Sequence, residues 1–483
     1  MTMTRAELGV TRRAMLAGMA AGAVVGARRA RAAGAEAIDA IRARSGLGAV
    51  TGFAVAEAGG GAVAEGHQAD LDRPPASVAK VVTALYALDR LGPGHVFETR
   101  IAAAGPIESR TLTGDVALVG GGDPLLDTDA LGDLLAEARE AGLGAARGRL
   151  VVAAGALPAL AEIEPDQPQD AGYNPAISGM NLNFNRVFLE WEPGGAGPVL
   201  RLSAPGARFR AQAPSIAAEL GAAGGRPSHR LEEGREVWAL APASLKGRGG
   251  VWLPVRAPAV YAGEALRGLA AEAGLALPAP VVVAEAPVGI TLAARASAPL
   301  GPMMRDMLRY STNLTAEVAG LSAARADGGA AEDLAASASA MTDWARARYG
   351  LGRARLVNHS GLTARSAMTA GEMVRLLTAA QGEGLAGMLR ERPLRDVRGD
   401  LAPIQGVRVL AKTGTLNFVS ALAGYVEGPG PRRLAFAIFA ADLGARERIR
   451  PEERADPPGA RAWARRARAQ EQALLRRWIA LAG

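Results

Sequence analysis

A helix that begins at two prolines constrains this chain more than any other stretch. Pro74 and Pro75 end any element that precedes them, because proline donates no backbone hydrogen bond. Residues 76–88 are then predicted to form a helix, because apolar residues recur at helical spacing: Val78, Val81, Val82, Leu85 and Leu88. Ser77 falls in the first turn and Lys80 follows three residues later, so both side chains leave one face. A neutral lysine amine placed there can take the proton of a serine hydroxyl and activate it as a nucleophile.

Lysine is scarce in this chain, which gives Lys80 more weight. Of 55 lysines and arginines, only three are lysines: Lys80, Lys246 and Lys412. Arginine cannot lose its proton in a protein, whereas lysine can. Because Ser-x-x-Lys also occurs at ordinary helix starts, the pair alone is a weak signal, but the choice of lysine here indicates that an amine is needed.

The first 33 residues have the pattern of an export signal. Arg12-Arg13 precedes a short apolar run, residues 14–27, and a small-x-small cleavage site, residues 30–32. We therefore expect a twin-arginine signal peptide and a periplasmic protein. This segment holds six arginines and one glutamate, and therefore +5 of the formal net charge of +7. The remaining chain is nearly balanced, which argues against a nucleic-acid partner.

Composition excludes several other classes of protein. The chain has no cysteine, so disulfides, thiol catalysis and cysteine–zinc sites are excluded. The apolar run of the signal segment is too short to span a bilayer and no later run is long enough, so no transmembrane span is expected. The four histidines, at positions 67, 95, 229 and 359, show no ligand spacing, and we predict neither a metal site nor a cofactor. His359 is interpreted as structural.

A chain of 483 residues predicts two or three domains. Five strands are predicted to form one antiparallel sheet: 49–56, 62–66, 407–411, 420–426 and 434–440. Residues 105–290 differ in character, with short strands, small helices and Gly/Pro breaks. We therefore predict an α+β fold with a catalytic domain split into residues 34–104 and 291–483, and one or more smaller α/β domains inserted at 105–290.

Other segments are assigned from local patterns. Residues 302–309 and 315–323 are predicted helices on either side of Ser311-Thr312-Asn313. The alternating stretch 180–185 is predicted to be a strand. The basic helix 459–482 carries apolar residues at helical spacing and is expected to pack on its own domain, with membrane-surface binding as the alternative.

Three motifs in order are far more specific than any one of them. Ser77-x-x-Lys80, Ser311-x-Asn313 and Lys412-Thr413-Gly414 form the set found in penicillin-binding proteins and class A β-lactamases. The first two are 234 residues apart, room for a whole inserted domain. The chain therefore resembles the penicillin-binding protein 4 type of D-alanyl-D-alanine carboxypeptidase/endopeptidase, peptidase family S13. Four further stretches look like family sequence: 120–124, 181–185, 360–362 and 421–426.

The resemblance implies a fold and a set of roles. The catalytic domain would be β-lactamase/transpeptidase-like, with its five-stranded sheet flanked by helices. Ser77 would form an acyl-enzyme with the carbonyl between two D-alanines, with Lys80 as base and Ser311 as proton relay. The substrate would be held by five further residues: Asn313, Lys412, Thr413, Gly414 and Thr415. The backbone N–H groups of Ser77 and Thr415 would form the oxyanion hole.

The implied partners are peptidoglycan peptides and β-lactams; oligomeric state and the balance of carboxypeptidase to endopeptidase activity are not predicted. One departure concerns the arginine that often follows Ser-Gly-Leu-Ser in the family. Here Thr363 takes the last of those places, Ala364 follows, and Arg365 comes one position late. Two alternatives stay open: a serine β-lactamase, for which no deacylating glutamate motif is visible, and a non-catalytic peptidoglycan-binding module on the same fold.

Overall fold

The computed structural model describes residues 36–60, 62–195, 197–221, 225–328, 331–396, 398–430 and 432–482. The expected signal segment therefore lies outside the described residues. In chain order the strands are β1 (Thr51–Glu57), β2 (Val63–His67), β3 (Glu98–Ala104), β4 (Ile107–Glu108), β5 (Thr111–Leu112), β6 (Asp115–Gly120), β7 (Ala145–Ala146), β8 (Leu150–Ala153), β9 (Arg186–Glu192), β10 (Val199–Pro205), β11 (Arg210–Ala211), β12 (Ile216–Leu220), β13 (Ser228–Glu232), β14 (Arg235–Leu240), β15 (Gly249–Pro254), β16 (Pro280–Val283), β17 (Ile290–Ala296), β18 (Arg390–Glu391), β19 (Arg408–Leu416), β20 (Val419–Glu427) and β21 (Arg433–Ala441).

The helices are interspersed among these strands. In chain order they are α1 (Ile38–Ser45), α2 (Lys80–Leu91), α3 (Thr128–Glu140), α4 (Pro258–Glu272), α5 (Leu300–Tyr310), α6 (Asn313–Ala326), α7 (Leu334–Tyr349), α8 (Ala370–Ala379), α9 (Leu385–Met388), α10 (Leu443–Glu447) and α11 (Ala460–Ala482). None of the described helices is both long and apolar enough to cross a membrane.

The catalytic half is built on one antiparallel sheet. Its strand order is β18-β19-β20-β21-β1-β2, which confirms the five predicted strands and adds β18 at one edge. β19 was predicted to end at Ala411, but it continues through Lys412-Thr413-Gly414-Thr415 to Leu416, paired with β20 along its whole length. The third motif therefore lies within a strand, and its alternate side chains face opposite sides of the sheet.

Helices cover both faces of this sheet. Along β20, Ala421, Ala423 and Tyr425 face a core shared with α2 and α5 to α8. Leu422 and Val426 face the other side, because side chains alternate along a strand. There α11 contributes four buried apolar residues: Leu474, Leu475, Trp478 and Ile479. The prediction that the C-terminal helix packs on its own domain is confirmed.

The inserted region has its own sheets and its own core. Its largest sheet is mixed, in the order β16-β8-β6-β3-β17, and smaller sheets are formed by β11-β10-β9-β15, β12-β14-β13 and β4-β5-β7. β3 and β17 pair with each other, Ile101 opposite Ala293. The sheet of the insertion therefore begins at Glu98 and ends at Ala296, several residues outside the expected limits of 105 and 290. That residues 105–290 fold as a unit stays a prediction.

The expectation of a strand at residues 180–185 is wrong. Asn183, Phe184 and Asn185 all have positive φ, near 50–57°, and form a tight 3-10 turn before β9. Asparagine tolerates this left-handed region because its amide can bond to nearby backbone. The Asn185 side chain accepts a hydrogen bond from the Leu182 N–H at 3.0 Å. The polar alternation therefore arose from turn chemistry and not from a half-buried strand.

Candidate active site

Ser77 lies in a short 3-10 turn, Ala76–Ala79, that leads directly into α2. The sequence predicted one helix from 76 to 88; the structure divides it, and α2 continues to Leu91. Two glycines allow the backbone around the turn to approach closely. A Cβ on Gly361 would lie 1.9 Å from the Ala76 carbonyl oxygen, and one on Gly414 would lie 2.9 Å from the Ser77 nitrogen. Gly414, the glycine of the third motif, therefore lets β19 pack against the turn that carries Ser77, which we call the nucleophile turn (Ala76–Ala79).

The Lys80 amine is held by three oxygen acceptors. Its Nζ donates to Ser77 Oγ at 3.0 Å, to Asn313 Oδ1 at 2.7 Å and to the Ser360 carbonyl oxygen at 2.7 Å. The lysine side chain is completely buried. The first two motifs, far apart in sequence, therefore meet at one nitrogen atom.

Burial lowers the pKa of Lys80 to about 7, and the carboxyl group of Glu317 opposes this shift. Glu317 is also fully buried, and burial raises its pKa. Its two oxygens accept hydrogen bonds from the His359 and Ser360 N–H groups, each at 2.9 Å. Glu317 therefore holds the loop whose Ser360 carbonyl binds Lys80 and places a carboxyl group beside the amine.

Glu317 was not predicted from the sequence, although a signal was present. It stands four residues after Asn313, so both side chains leave one face of α6. It is also the one carboxylate among the mostly apolar residues 314–324. A carboxylate at that spacing from the second motif, within a buried helix, requires a partner.

The second lysine joins the second and third motifs. Lys412 Nζ donates to Ser311 Oγ at 2.8 Å and to the Thr413 carbonyl oxygen at 2.8 Å. Burial, and to a smaller extent the positive charges of Lys80 and Arg392, together lower the pKa of Lys412 to about 6. Arg392 also donates to Thr413 Oγ1 at 3.1 Å. The surroundings of Lys412 in the free site therefore disfavour its charged form.

Asn313 connects the catalytic helices to the insertion. Its Oδ1 accepts from Lys80, and its Nδ2 donates to the Tyr173 carbonyl oxygen at 2.8 Å. Ser311, two residues before it, has φ 61°, a left-handed conformation that ends α5. Tyr173, on a loop of the insertion, was not anticipated from the sequence, where no motif marks it.

The edge of β19 beside Ser77 is open. β18 pairs only with Leu410 and Ala411. Arg392 donates hydrogen bonds to the carbonyl oxygens of Val409 and Ala411. The main-chain N–H and C=O groups of these two residues therefore point away from β20. Alternate residues of a strand point the same way. The N–H of Thr415 therefore faces this open edge, next to the nucleophile turn.

A cleft of about 820 Å³ contains the site, lined by Ser77, Ser311, Asn313, Leu362 and Thr415 among others. Arg365, the displaced arginine, is turned toward the insertion and donates to Glu164 Oε2 at 3.0 Å. Within the described residues, no group of histidines and carboxylates has the arrangement of a metal site. His359 is completely buried, its pKa is lowered to about 3 by burial, and its ring bonds to Ser337 Oγ at 2.7 Å, as expected of a structural residue.

Comparisons with known proteins agree with this geometry. The chain matches the D-Ala-D-Ala carboxypeptidase 3 (S13) family over residues 34–456. A D-alanyl-D-alanine carboxypeptidase of Actinomadura sp. (strain R39) is 29% identical over 442 residues, which cover 83% of this chain and 80% of the relative. A carboxypeptidase of Mycobacterium tuberculosis is 26% identical, over 78% of this chain and 72% of the relative.

Among solved structures, penicillin-binding protein 4 of Haemophilus influenzae superposes with a TM-score of 0.70 at 20% identity, covering 92% of this chain and 99% of that chain. This similarity confirms the predicted α+β fold, a transpeptidase-like domain with additional domains. Because the family match spans most of the sequence, the resemblance inferred from the three motifs is confirmed, and the chain belongs to the D-Ala-D-Ala carboxypeptidase 3 (S13) family.

Proposed function

We propose that the protein is a serine D-Ala-D-Ala carboxypeptidase/endopeptidase that acts on peptidoglycan stem peptides and is acylated by penicillins. One observation carries the proposal: a fully buried Lys80 amine, with a pKa near 7, lies 3.0 Å from Ser77 Oγ. A base with a pKa near the working pH and within hydrogen-bond distance of the nucleophile meets both requirements of general-base catalysis.

Acylation begins when the neutral Lys80 amine takes the Ser77 proton. Ser77 Oγ then attacks the carbonyl carbon between the two D-alanines. The resulting ammonium donates to Asn313 Oδ1 and to the Ser360 carbonyl oxygen, which stabilise its charge. The N–H groups of Ser77 and Thr415 stabilise the oxyanion, at about 3 kcal/mol per donor. Asn313 also holds the substrate amide.

The C-terminal side of the substrate lies along β19. Lys412, Thr413 and Thr415 bind the terminal carboxylate, and Gly414 gives the strand room to pack against the nucleophile turn. Ser311 accepts a hydrogen bond from Lys412, so its own O–H is free to donate a proton to the leaving amine, and the proton that Lys80 took from Ser77 replaces it. Departure of D-alanine leaves an ester on Ser77, which water then hydrolyses.

Intact-mass spectrometry after incubation with benzylpenicillin tests the assignment. We expect one covalent adduct on the wild-type protein and none on Ser77→Ala. An adduct that survives this substitution would contradict the choice of nucleophile. A stable adduct identifies a peptidase, rapid release of hydrolysed penicillin identifies a β-lactamase, and the absence of both identifies a non-catalytic module. Digestion of purified peptidoglycan then separates carboxypeptidase from endopeptidase products.

We also propose export through the twin-arginine route, supported by Arg12-Arg13 and the short apolar run that follows. The substrate of such an enzyme lies outside the cytoplasm, so the protein acts in the periplasm. Replacing both arginines by lysine keeps the charge and should leave unprocessed precursor in the cytoplasm. Normal maturation of that variant would indicate a different route.

A further inference from the structure

The catalytic cleft continues beyond the strand edge into a region rich in arginine. Besides the catalytic residues, its lining includes five arginines: Arg446, Arg454, Arg461, Arg465 and Arg468. Three carboxylates also line it: Asp166, Glu447 and Asp456. The cleft beside the reacting groups therefore has an excess of positive charge.

Three of these arginines form one face of α11. Arg461, Ala464, Arg465 and Arg468 follow one another at helical spacing, and all four line the cleft. Arg466, next in sequence, points elsewhere and lines a groove against α1. The arginines of the cleft are therefore a defined face of the helix, which we call the arginine face (Arg461, Arg465 and Arg468).

Two members of the arginine face are available to a ligand. Arg461 makes a two-bond pair with Asp456, at 2.9 and 2.8 Å. Arg465 and Arg468 make no hydrogen bond or ion pair with any residue in the described part of the chain. Burial raises the pKa of Glu471 to about 7, and the charge of Arg468 opposes part of this rise. Both side chains are exposed. Two guanidinium groups with free donors therefore face the cleft.

The proposed roles of β19 show which part of the substrate reaches this face. The terminal carboxylate lies at Lys412 and Thr413, and the reacting carbonyl at the N–H of Thr415. A peptide that follows this line continues past Leu416 and Asn417, in the direction away from its C-terminus. Two hydrogen bonds join Asn417 to the arginine-rich region. Its side-chain amide donates to the Arg454 carbonyl oxygen, and its main-chain oxygen accepts from Arg446. The arginine face therefore lies on the acyl-donor side of the scissile bond.

We propose that Arg465 and Arg468 bind a carboxylate of the donor peptide upstream of D-Ala-D-Ala, so that the enzyme prefers acidic stem peptides over their amidated forms. Guanidinium groups pair well with carboxylates, and a side-chain amide offers no charge to bind. This inference rests on the proposed function and names the class of donor that the same site selects.

The test compares two synthetic peptides that differ in one group. Ac-γ-D-Glu-L-Lys(Ac)-D-Ala-D-Ala is used with a free α-carboxylate on the glutamate and with the corresponding carboxamide. We expect wild-type kcat/KM to be about 3- to 10-fold higher for the acid at low salt, because partly exposed ion pairs are modest. The preference should shrink as salt is raised. In Arg465→Gln/Arg468→Gln it should fall to about 1, and circular dichroism checks that this variant is folded.

Arg466→Gln is the control matched to Arg465→Gln, because it removes the same charge from another face of the same helix. The preference of Arg466→Gln for the acidic peptide should equal that of the wild type. Equal hydrolysis of both peptides by the wild type, or a preference that persists in the double variant, would overturn the inference while leaving the peptidase assignment intact. If the wild type neither hydrolysed the peptides nor formed the Ser77 penicillin adduct, both the inference and the peptidase assignment would be overturned.

Discussion

Lys80 and Lys412 are both buried lysines in one site, but the charged groups beside them are of opposite sign. Lys80 has a carboxyl group, Glu317, close enough to raise its pKa against the effect of burial. Burial lowers the pKa of Lys412 to about 6, and the charges that act on it within the described residues, those of Lys80 and Arg392, are positive and contribute to this fall. Both amines donate to a serine hydroxyl, at 3.0 Å in one case and 2.8 Å in the other.

This difference assigns different tasks to the same functional group. A pKa near 7 lets Lys80 be neutral before attack and charged after it, as a base requires. Lys412 is largely neutral at pH 7 in the free site. A bound carboxylate supplies the missing negative charge and raises the pKa of Lys412. Lys412 therefore becomes a cation when the substrate arrives, while Lys80 becomes one when the chemistry begins.

Exchanging each lysine for arginine should give the largest effect. Arginine keeps a positive charge but cannot accept a proton. Lys80→Arg should therefore reduce acylation by penicillin by about 10²- to 10⁴-fold, whereas Lys412→Arg should keep a measurable fraction. The measurement is the acylation rate of each variant, with circular dichroism to confirm folding. Equal rates for the two variants would mean that Lys80 is not the base.

The pH dependence of acylation tests the role of Glu317. Because Lys80 must be neutral, the wild-type rate should rise with pH, with its midpoint near the pKa of about 7. Glu317→Gln removes the group that raises this pKa, so the midpoint should move to lower pH. The variant should also be destabilised by about 1–3 kcal/mol, since a backbone N–H loses its acceptor.

Glu372→Gln is the control for this experiment. Glu372 is buried and accepts hydrogen bonds from backbone N–H groups, including that of Arg353, but it has no contact with Lys80. Its replacement should cost similar stability without moving the pH midpoint. A midpoint that stays unchanged in Glu317→Gln would show that the carboxyl group does not act on Lys80.

Proton uptake on ligand binding sharpens the picture of Lys412. The Ser77→Ala variant should bind a D-Ala-D-Ala peptide at pH 7 and take up about half a proton or more, because a nearby opposite charge raises a pKa by about 1–3 pH units. Calorimetric titration in two buffers with different ionisation enthalpies measures this uptake. Adding Lys412→Arg should remove it, since arginine is already charged. Undiminished uptake in that double variant would assign the proton to another group.

The smallest expected effect concerns Arg392. Arg392→Gln removes one of the positive charges that lower the pKa of Lys412, and that pKa should rise by less than about one pH unit, or ~1.4 kcal/mol. The free protein would then carry more charge on Lys412, and calorimetric proton uptake should decrease. Arg390→Gln makes the same charge change at an exposed neighbouring position. Its proton uptake should equal that of Ser77→Ala alone.

The sequence predicted the centre of this site because its chemistry is encoded locally. Ser77 and Lys80 share a helix face, and Ser311, Asn313 and Lys412 stand in short motifs whose order identified the family. The sheet followed from strand patterns, with ends correct to within two residues except at β19. There, the polar residues of the third motif concealed that the strand continues for five further residues.

The residues that the sequence missed act through tertiary contacts. The sequence around Glu317 indicates a buried carboxylate, but the groups that it accepts from are set by the packing of α6 against the His359–Ser360 loop. Tyr173 contributes a main-chain oxygen, which any residue type could supply. The turn at residues 181–185 was misassigned because the period of its polar residues does not reveal the sign of φ.

The split of the catalytic sheet determines when this enzyme can first exist during its own synthesis. In the middle of the sheet, Phe53 pairs with Ile438, 385 residues further along the chain. At about 5–20 residues per second, a ribosome needs roughly 20 to 80 s to produce the partner of a strand that it has already made. β1 and the Ser77 turn must wait through the synthesis of the whole insertion, and pairing over such a distance is intrinsically slow. A truncated chain that stops before β21 therefore lacks the central strand of the sheet and cannot assemble the site, however complete its three motifs are.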